Sequence, residues 1–266
     1  MEITRRTGLS VTAAGLLHVA VNAQSVLAEP PSSLEWLFRQ AAERGHTDIG
    51  WLKSFHSFSF GDYYDQRHMG FRSLRVINDD RIAAGRGFPT HPHHDMEIIS
   101  YVLEGALQHK DSTGRGAIIT PDDVQMMSAG TGITHSEYNP SQTHPNHFLQ
   151  IWIEPAIRSV RPRYSDNKVT IDQKKDQWKK IAGPEGSKAA VSINQDANIY
   201  ATNLTPGQQM AFIVERGRHA WLQVARGSLI VNGTKLHSGD AVATSRSSEL
   251  HVTAIETADV LLFDLA

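Results

Sequence analysis

The chain is 266 residues long, with a formal net charge of −2, 40% hydrophobic residues and 20% charged residues. At roughly 150 residues per domain this length predicts about two globular domains, and the composition is not that of a disordered or fibrous chain. The near-neutral charge excludes the concentrated basic surface that a nucleic-acid partner requires. Cysteine is absent, which excludes disulfides, thiolate zinc sites, iron–sulfur clusters and thiol nucleophiles, and leaves His, Asp and Glu as the strong metal ligands.

Residues 1–28 have the layout of a signal peptide. Arg5 and Arg6 precede a mildly apolar segment, residues 9–21, and Ala28 lies just before a proline-containing stretch, which is the order of a basic start, an apolar middle and a cleavage site. The paired arginines predict a twin-arginine signal and an exported protein, periplasmic or extracellular. A cytoplasmic protein with an N-terminal extension is the alternative. The apolar segment is too short for a bilayer, so no membrane span is expected.

Downstream, the apolar pattern predicts one helix followed by many short strands. Residues 34–44 have helical spacing. Short apolar runs separated by turn residues, typical of a β-sandwich or barrel, form one series at residues 74–77, 98–103, 117–119, 124–127 and 148–153, and a second at 211–214, 220–224, 228–231, 241–244, 250–254 and 260–263. Asn232-Gly233 predicts a hairpin turn in the second series. The polar segment 154–180 places a domain boundary near residue 160, and the two halves are predicted to be degenerate repeats of one all-β unit.

Histidine is the unusual residue, with 14 copies in the chain. Seven fall in one stretch, namely His91, His93, His94, His109, His135, His144 and His147. Residues two apart share a face of a strand, so His91 and His93 can point to one place, whereas Pro92 favours an edge strand. His135 and Glu137 have the same spacing. If these two strands face each other across a barrel, three imidazoles and one carboxylate surround a single ion and leave coordination positions open for catalysis.

The spacing of Gly85, His91, His93, Glu97 and Gly105 resembles the first cupin motif, with one extra residue before the last glycine. More narrowly, the chain is similar to the pirin family, and within it to the bacterial members assigned quercetin 2,3-dioxygenase activity. The likeness covers the chain from about Trp36 and is most specific in the first half. It is carried chiefly by residues 51, 55–60, 74–80, 91–97, 101–105, 108–111, 128–133, 135–137 and 150–153.

This resemblance implies an all-β fold of two tandem cupin domains, jelly-roll β-barrels in the bicupin arrangement of pirins. The N-terminal metal-binding cupin domain would span residues 35–160. The C-terminal cupin-like domain, residues 161–266, would lack metal ligands, because its histidines have no HxH spacing. A monomer is expected.

The resemblance also implies a ligand set of His91, His93, His135 and Glu137. Glu97 is an open question, since many cupins bind metal through the glutamate of the first motif whereas pirins use the one in the second. The resemblance favours Fe(II) as the metal, while the donor types also suit Mn, Co, Ni or Cu. His94, His109 and the other histidines of the stretch, His144 and His147, are expected at the rim or surface.

The implied reaction is the opening of a flavonol such as quercetin by O2 with release of CO. The 3-hydroxyl oxygen would bind the metal and Glu137 would remove its proton as the catalytic base. Candidates for the apolar walls of the site are Phe58, Phe60, Met126 and Trp152, although ordinary core packing is the simpler interpretation of these four. Two other functions stay open: a non-enzymatic, redox-responsive regulator that binds metal, and a cupin enzyme with another substrate.

Overall fold

The computed structural model describes residues 36–266, so the predicted signal peptide lies outside the described residues. The described chain is almost entirely β-structure. Its first half contains β1 (Leu37–Arg39), β2 (Gly45–Asp48), β3 (Leu52–His56), β4 (Leu74–Ile82), β5 (Gly87–His93), β6 (Glu97–Glu104), β7 (Leu107–Asp111), β8 (Gly116–Ile119), β9 (Asp123–Ser128), β10 (Ile133–Tyr138), β11 (Asn146–Ile153) and β12 (Arg163–Lys168). A short 3-10 helix, Ala41–Glu43, follows β1.

The second half repeats this pattern. A single-turn helix, α1 (Ile171–Lys174), leads into β13 (Lys179–Gly183), β14 (Val191–Ser192), β15 (Ala197–Leu204), β16 (Gln209–Val214), β17 (His219–Arg226), β18 (Ser228–Val231), β19 (Thr234–His237), β20 (Ala241–Thr244), β21 (Ser248–Ala254) and β22 (Ala258–Leu265). No helix in the described part of the chain is long and apolar enough to cross a membrane.

Each half is built from a seven-stranded and a four-stranded sheet. In the first half the orders are β12-β9-β6-β11-β4-β3-β2 and β5-β10-β7-β8. In the second half they are β1-β20-β17-β22-β15-β13-β14 and β16-β21-β18-β19. The segments β9-β6-β11-β4 and β20-β17-β22-β15 have the same relative order, as do the two small sheets, so the predicted internal repeat is confirmed.

The two halves also share their edges. The strand β12 begins after residue 160 but pairs with β9 of the first large sheet. The strand β1 precedes the first barrel in sequence but pairs with β20 of the second large sheet. The hydrogen-bonded sheets therefore extend across the boundary that the sequence predicts between the domains.

The helix predicted over residues 34–44 is wrong where the structure describes it. Leu37, Phe38 and Arg39 pair in register with Ala243, Val242 and Ala241. Arg39 is buried, and its guanidinium donates a hydrogen bond to the carbonyl of Ser57 at 2.9 Å. Pairing with a sheet edge has overridden the local helical pattern, which is only a weak determinant of structure.

Every other predicted apolar run lies within a strand. Asn232 and Gly233 both have positive φ, 46° and 84°, and connect β18 to β19 as the predicted hairpin turn. Two positive φ values match the right-handed twist of the strands that they join.

The two large sheets pack against each other. One apolar cluster contains Ile77, Ile99 and Ile151 from the first large sheet together with Trp221 and Phe263 from the second. Neighbouring residues on the same strands, such as Ser100 and Gln150, point the other way, because successive side chains alternate between the faces of a strand. The first large sheet is therefore covered on both faces, by the second domain on one side and by its own small sheet on the other.

Candidate metal centre

Three imidazoles form a compact triangle in the first barrel. The ring centroids are 4.8 Å apart for His91 and His93, 4.5 Å for His91 and His135, and 4.8 Å for His93 and His135. One ring nitrogen from each residue lies within 4.8 Å of the others. The structure thus brings together the three histidines that the sequence selects.

The strands that carry these rings are neighbours rather than opposed walls of the barrel. The β5 and β10 strands pair antiparallel with His135 directly opposite His91, and a bulge separates this pair from the pairing of Glu137 with Phe88. The expectation that the two strands face each other across the barrel is therefore wrong. The edge position predicted for the strand with Pro92 is confirmed, because β5 is the outer strand of the small sheet. A Cβ atom at Gly87 would lie 2.2 Å from the carbonyl oxygen of Glu137, so only glycine allows this approach.

Two of the three rings have lowered pKa values, and donor nitrogens of the triangle are available. Burial and the neighbouring His91 lower the pKa of His93 to about 4. Burial and the neighbouring imidazoles of His93, His91 and His109 lower the pKa of His135 to about 2. The Nδ1 atom of His91 lies 2.8 Å from the carbonyl oxygen of Pro89, an arrangement that leaves Nε2 free. Nε2 of His135 is buried and has no hydrogen-bond partner among the described residues. An unpaired buried nitrogen beside two further imidazoles fits a divalent metal ion.

Glu137 is buried beneath the histidines. One carboxylate oxygen accepts a hydrogen bond from the Ser100 hydroxyl at 3.3 Å, and the other accepts from the Gln150 amide at 2.7 Å. Burial, and then the nearby carboxylate of Asp80, raise the pKa of Glu137 to about 7. Glu137, His135 and His109 form a second cluster whose ligand atoms lie within 4.8 Å of one another. His135 belongs to both clusters, which places the carboxylate next to the imidazole triangle.

His109 lies behind His135, away from the surface. Its Nδ1 is 3.4 Å from Nδ1 of His135 and its Nε2 is 3.0 Å from a carboxylate oxygen of Asp111. If His135 binds metal through Nε2, its proton resides on Nδ1 and is donated to His109, which in turn donates from Nε2 to Asp111. This is the carboxylate–histidine arrangement that commonly orients a metal-binding ring.

The expected rim or surface positions hold for His94 and His144, which are exposed. They are wrong for His109 and His147, which are 1% and 4% exposed. Nε2 of His147 contacts Asp79 at 2.7 Å on the side of the sheet that faces away from the barrel interior. Among residues 107–111 only Leu107 is apolar, so no apolar–polar alternation in the sequence locates His109 in the interior.

Glu97 is not directed at the histidines. It shares a face of β6 with Ile99 and Tyr101, which pack against the second large sheet. Its carboxylate accepts hydrogen bonds from the Ser128 hydroxyl at 2.5 Å and the backbone N–H of Asn194 at 3.0 Å. The structure therefore gives Glu97 a role in joining the two halves.

A cavity of about 430 Å³ opens beside His91, His93 and Glu137. This volume lies in the range of small-molecule sites, roughly 300–1,000 Å³. Phe60 and Trp152 line the cavity, as expected of wall residues, and Phe88 adds a third ring. The other two predicted wall residues, Phe58 and Met126, lie instead in the core between the large sheets.

The sequence analysis missed the polar side chains on the floor of this cavity. Asn78, Asp80 and His56 line it and are each less than 5% exposed. They occupy alternate positions on β3 and β4, so they share the interior face with Gln150. Residues 78–81 are four consecutive polar residues of β4, so the sequence alone does not show which of them face the interior.

Comparison with known proteins agrees with this architecture. The Pirin family model matches residues 37–153, and the model described as the quercetinase C-terminal cupin domain matches residues 180–265. A quercetin 2,3-dioxygenase of Escherichia coli strain K12 is 44% identical over 227 residues, which is 85% of this chain and 97% of the relative. A putative quercetin 2,3-dioxygenase of Pseudomonas aeruginosa is 44% identical over 223 residues, or 84% and 96% of the two chains.

Solved structures resemble the chain over the same length. The crystal structure of the bacterial pirin YhhW from E. coli in complex with nickel(II) has a TM-score of 0.82 and 42% identity, covering 86% of this chain and 98% of that one. A second crystal structure of YhhW has a TM-score of 0.83 with 42% identity, covering 87% and 97%. The expected fold of two cupin domains is confirmed.

Proposed function

The chain belongs to the pirin family, and on that premise we propose that it is a metal-dependent quercetin 2,3-dioxygenase that opens the heterocycle of a flavonol with O2 and releases CO. The observation that carries the proposal is a triangle of three imidazoles, two of which line a cavity of about 430 Å³ together with the buried carboxylate of Glu137. Relatives of this length that are 44% identical bear the name of this activity.

We propose His91, His93, His135 and Glu137 as the metal ligands and Fe(II) as the metal. Nitrogen and carboxylate donors without sulfur suit Fe(II), and the same set accepts Mn, Co, Ni or Cu. The nickel(II) complex of YhhW supports a divalent transition metal in this family. When bound, the ion supplies a Lewis acid and an orienting charge for the substrate.

Glu137 is the base in this proposal. Its two oxygens each accept one hydrogen bond, from Ser100 and Gln150, and each oxygen keeps a lone pair with which to accept a proton. Without metal, burial and the nearby Asp80 raise the pKa of Glu137 to about 7; a bound divalent ion would lower it and keep the carboxylate ionised, the form in which it can accept a proton. The carboxylate takes the proton of the 3-hydroxyl group, which leaves an electron-rich flavonol. Both oxygen atoms of O2 enter the ring-opened product and one ring carbon leaves as CO.

The aromatic residues hold the flat rings and exclude water. Phe60 meets Trp152 edge to face with centroids 5.3 Å apart, and Trp152 meets His93 in the same way at 5.0 Å. Phe88 is braced by Trp51 at 5.4 Å. These contacts fix the rings before substrate enters, so a planar aromatic substrate fits between walls that are already in place.

The test is O2 consumption and CO release by iron-loaded protein given quercetin. His93→Ala should lose bound metal and activity together, whereas His94→Ala, an exposed histidine next in sequence, should keep both. Metal-dependent CO release by the wild type supports the dioxygenase. A wild type that holds stoichiometric metal but consumes no O2 contradicts it, and favours either another substrate or the regulatory alternative.

Two further expectations stay proposals. We propose export through residues 1–28, which N-terminal sequencing of the protein recovered from the periplasm or medium would test. We also propose a monomer as the working unit, because the cavity and all four donors come from a single chain. Light scattering of the metal-loaded protein measures the oligomeric state.

A further inference from the structure

A row of polar side chains crosses the interior face of the first large sheet, and His56, Asn78 and Gln150 of this row line the cavity. His56, Asn78, Gln150, Ser100 and Gln125 lie directly opposite one another on five successive strands of the first large sheet. All five are less than 10% exposed. Their hydrogen bonds account for most of the row: His56 contacts Asn78 at 2.7 Å, and Ser100 and Gln150 hold Glu137.

Asp80 lies next to this row, but hydrogen bonds within the protein do not satisfy its buried carboxyl group in the same way. It follows Asn78 by two residues on β4, so it shares the interior face, and it is 3% exposed. Burial raises the pKa of its carboxyl group to about 7 and the nearby Ser54 hydroxyl opposes that rise, while the Oδ1 atom has no hydrogen-bond partner among the described residues. The nearby cations do not neutralise it, because Arg44, Arg81 and His147 all contact Asp79 on the opposite face.

An unpaired buried carboxylate oxygen lowers the stability of the folded protein, so we expect it to serve a function. Leaving such an acceptor unsatisfied costs on the order of 1–3 kcal/mol, and more for a charged group. Asp80 lines the same cavity as His91, His93 and Glu137. Its free oxygen is therefore available to whatever molecule occupies that cavity, and the group that satisfies it is a hydrogen-bond donor.

We propose that Asp80 is a specificity-determining residue that accepts a hydrogen bond from a second hydroxyl group of the substrate. The inference rests on the proposed function for the role of the first hydroxyl, which gives its proton to Glu137. The site would then select polyhydroxylated planar aromatics over analogues that carry the reacting hydroxyl alone. The aromatic walls contribute equally to the binding of both classes of molecule. The hydrogen bond to Asp80 therefore determines which class binds more tightly.

The experiment compares quercetin with 3-hydroxyflavone, which keeps the rings and the 3-hydroxyl but lacks the other hydroxyl groups. The proteins are metal-loaded wild type, Asp80→Leu, Asp80→Asn and the control Asp172→Asn. Asp172 is an exposed carboxylate that does not line the cavity. Two quantities are measured for each substrate: kcat/KM with O2, and Kd by quenching of tryptophan fluorescence without O2.

Asp80→Leu should lower the preference for quercetin in Kd by roughly 10- to 100-fold, the cost of leaving a buried hydroxyl group without its acceptor. Binding of 3-hydroxyflavone should stay unchanged, and any effect of the lost carboxyl group on Glu137 should change kcat for both substrates alike. Asp80→Asn keeps an oxygen acceptor and should lose less, and Asp172→Asn should match the wild type. The thermal midpoint of Asp80→Leu should not fall, because the substitution removes an unpaired polar group.

An unchanged preference in Asp80→Leu overturns the inference and leaves the proposed function standing. An equal loss for both substrates, with a lower thermal midpoint, overturns it as well and assigns Asp80 a structural role. A wild type that turns over neither flavonol, yet binds quercetin with a preference that Asp80→Leu abolishes, supports the inference while the proposed function fails.

Discussion

The contact between His109 and His135 gives a quantitative prediction for metal affinity. In His109→Phe the ring remains, so the stacking on Tyr164, with centroids 4.9 Å apart, is retained. The variant loses both ring nitrogens, and with them the 3.4 Å contact to His135 and the 3.0 Å contact to Asp111. Asp111 stays fixed by Thr113, whose hydroxyl and backbone N–H donate to its other oxygen.

The expected loss is about tenfold in metal affinity. Removing an outer partner of a metal-bound imidazole typically costs about 10- to 100-fold. The distance of 3.4 Å is at the long end for a hydrogen bond between ring nitrogens, which favours the lower limit. Tenfold corresponds to about 1.4 kcal/mol. Asp111→Asn should lose less, because an amide oxygen can still accept from His109.

Competition with a fluorescent chelator for Co(II), at constant pH, measures these affinities, and the visible spectrum of bound Co(II) reports the coordination number. His94→Phe is the matched control, since His94 is exposed and close in sequence to the same ligands. An affinity of His109→Phe equal to that of the control would refute the orienting role. A loss as large as that of His93→Ala, with a changed Co(II) spectrum, would show instead that His109 binds the metal itself.

Three further substitutions separate the roles of the buried carboxylates. Glu137→Gln should retain most of its metal and lose about 100- to 10,000-fold in kcat, the usual contribution of a general base; normal turnover, measured as CO release, would limit Glu137 to metal binding. Glu97→Gln should leave metal content and turnover intact while lowering the free energy of unfolding by about 1–3 kcal/mol, as measured in urea; a loss of metal would contradict its position at the domain contact. Asp79→Asn should cost about 3 kcal/mol at pH 7. Burial opposes ionisation of Asp79, but His147, Arg44 and Arg81 outweigh it and lower its pKa. The stabilisation is therefore full above the unfolded-state pKa and is lost as the pH falls through the folded-state pKa, so wild type and variant should converge in acid.

The strands and the histidine triangle were the predictable parts of this protein. Short apolar runs bounded by turn residues identify strands such as β6 and β11, which are buried on both faces of the first large sheet. The His91-x-His93 spacing places both rings on one face whichever strand lies beside them. The turn at Asn232-Gly233 follows from two residues that tolerate positive φ.

What the sequence did not predict depends on contacts between distant segments. The strand pairing of Leu37–Arg39 is made with β20, about two hundred residues away, and no local pattern carries that information. The same holds for His109, whose burial follows from its neighbours on β10. Glu97 begins the apolar strand β6, whereas Asp80 lies among polar residues of β4. Only the face of the sheet on which each side chain lies shows that Glu97 joins the domains and Asp80 lines the cavity.

The alternation of side chains between the two faces of the first large sheet also explains why a second domain without a predicted ligand set accompanies the metal centre. On β6 and β11 the residues Ser100 and Gln150 serve the site, while Ile99 and Ile151 on alternate positions are fully buried against the second large sheet. A strand that must place polar groups precisely on one face needs a rigid support on the other, because neighbouring residues share one backbone. Trp221 and Phe263 supply that support from the second sheet. The position of Glu137, held by Ser100 and Gln150, thus depends on packing that the C-terminal half provides.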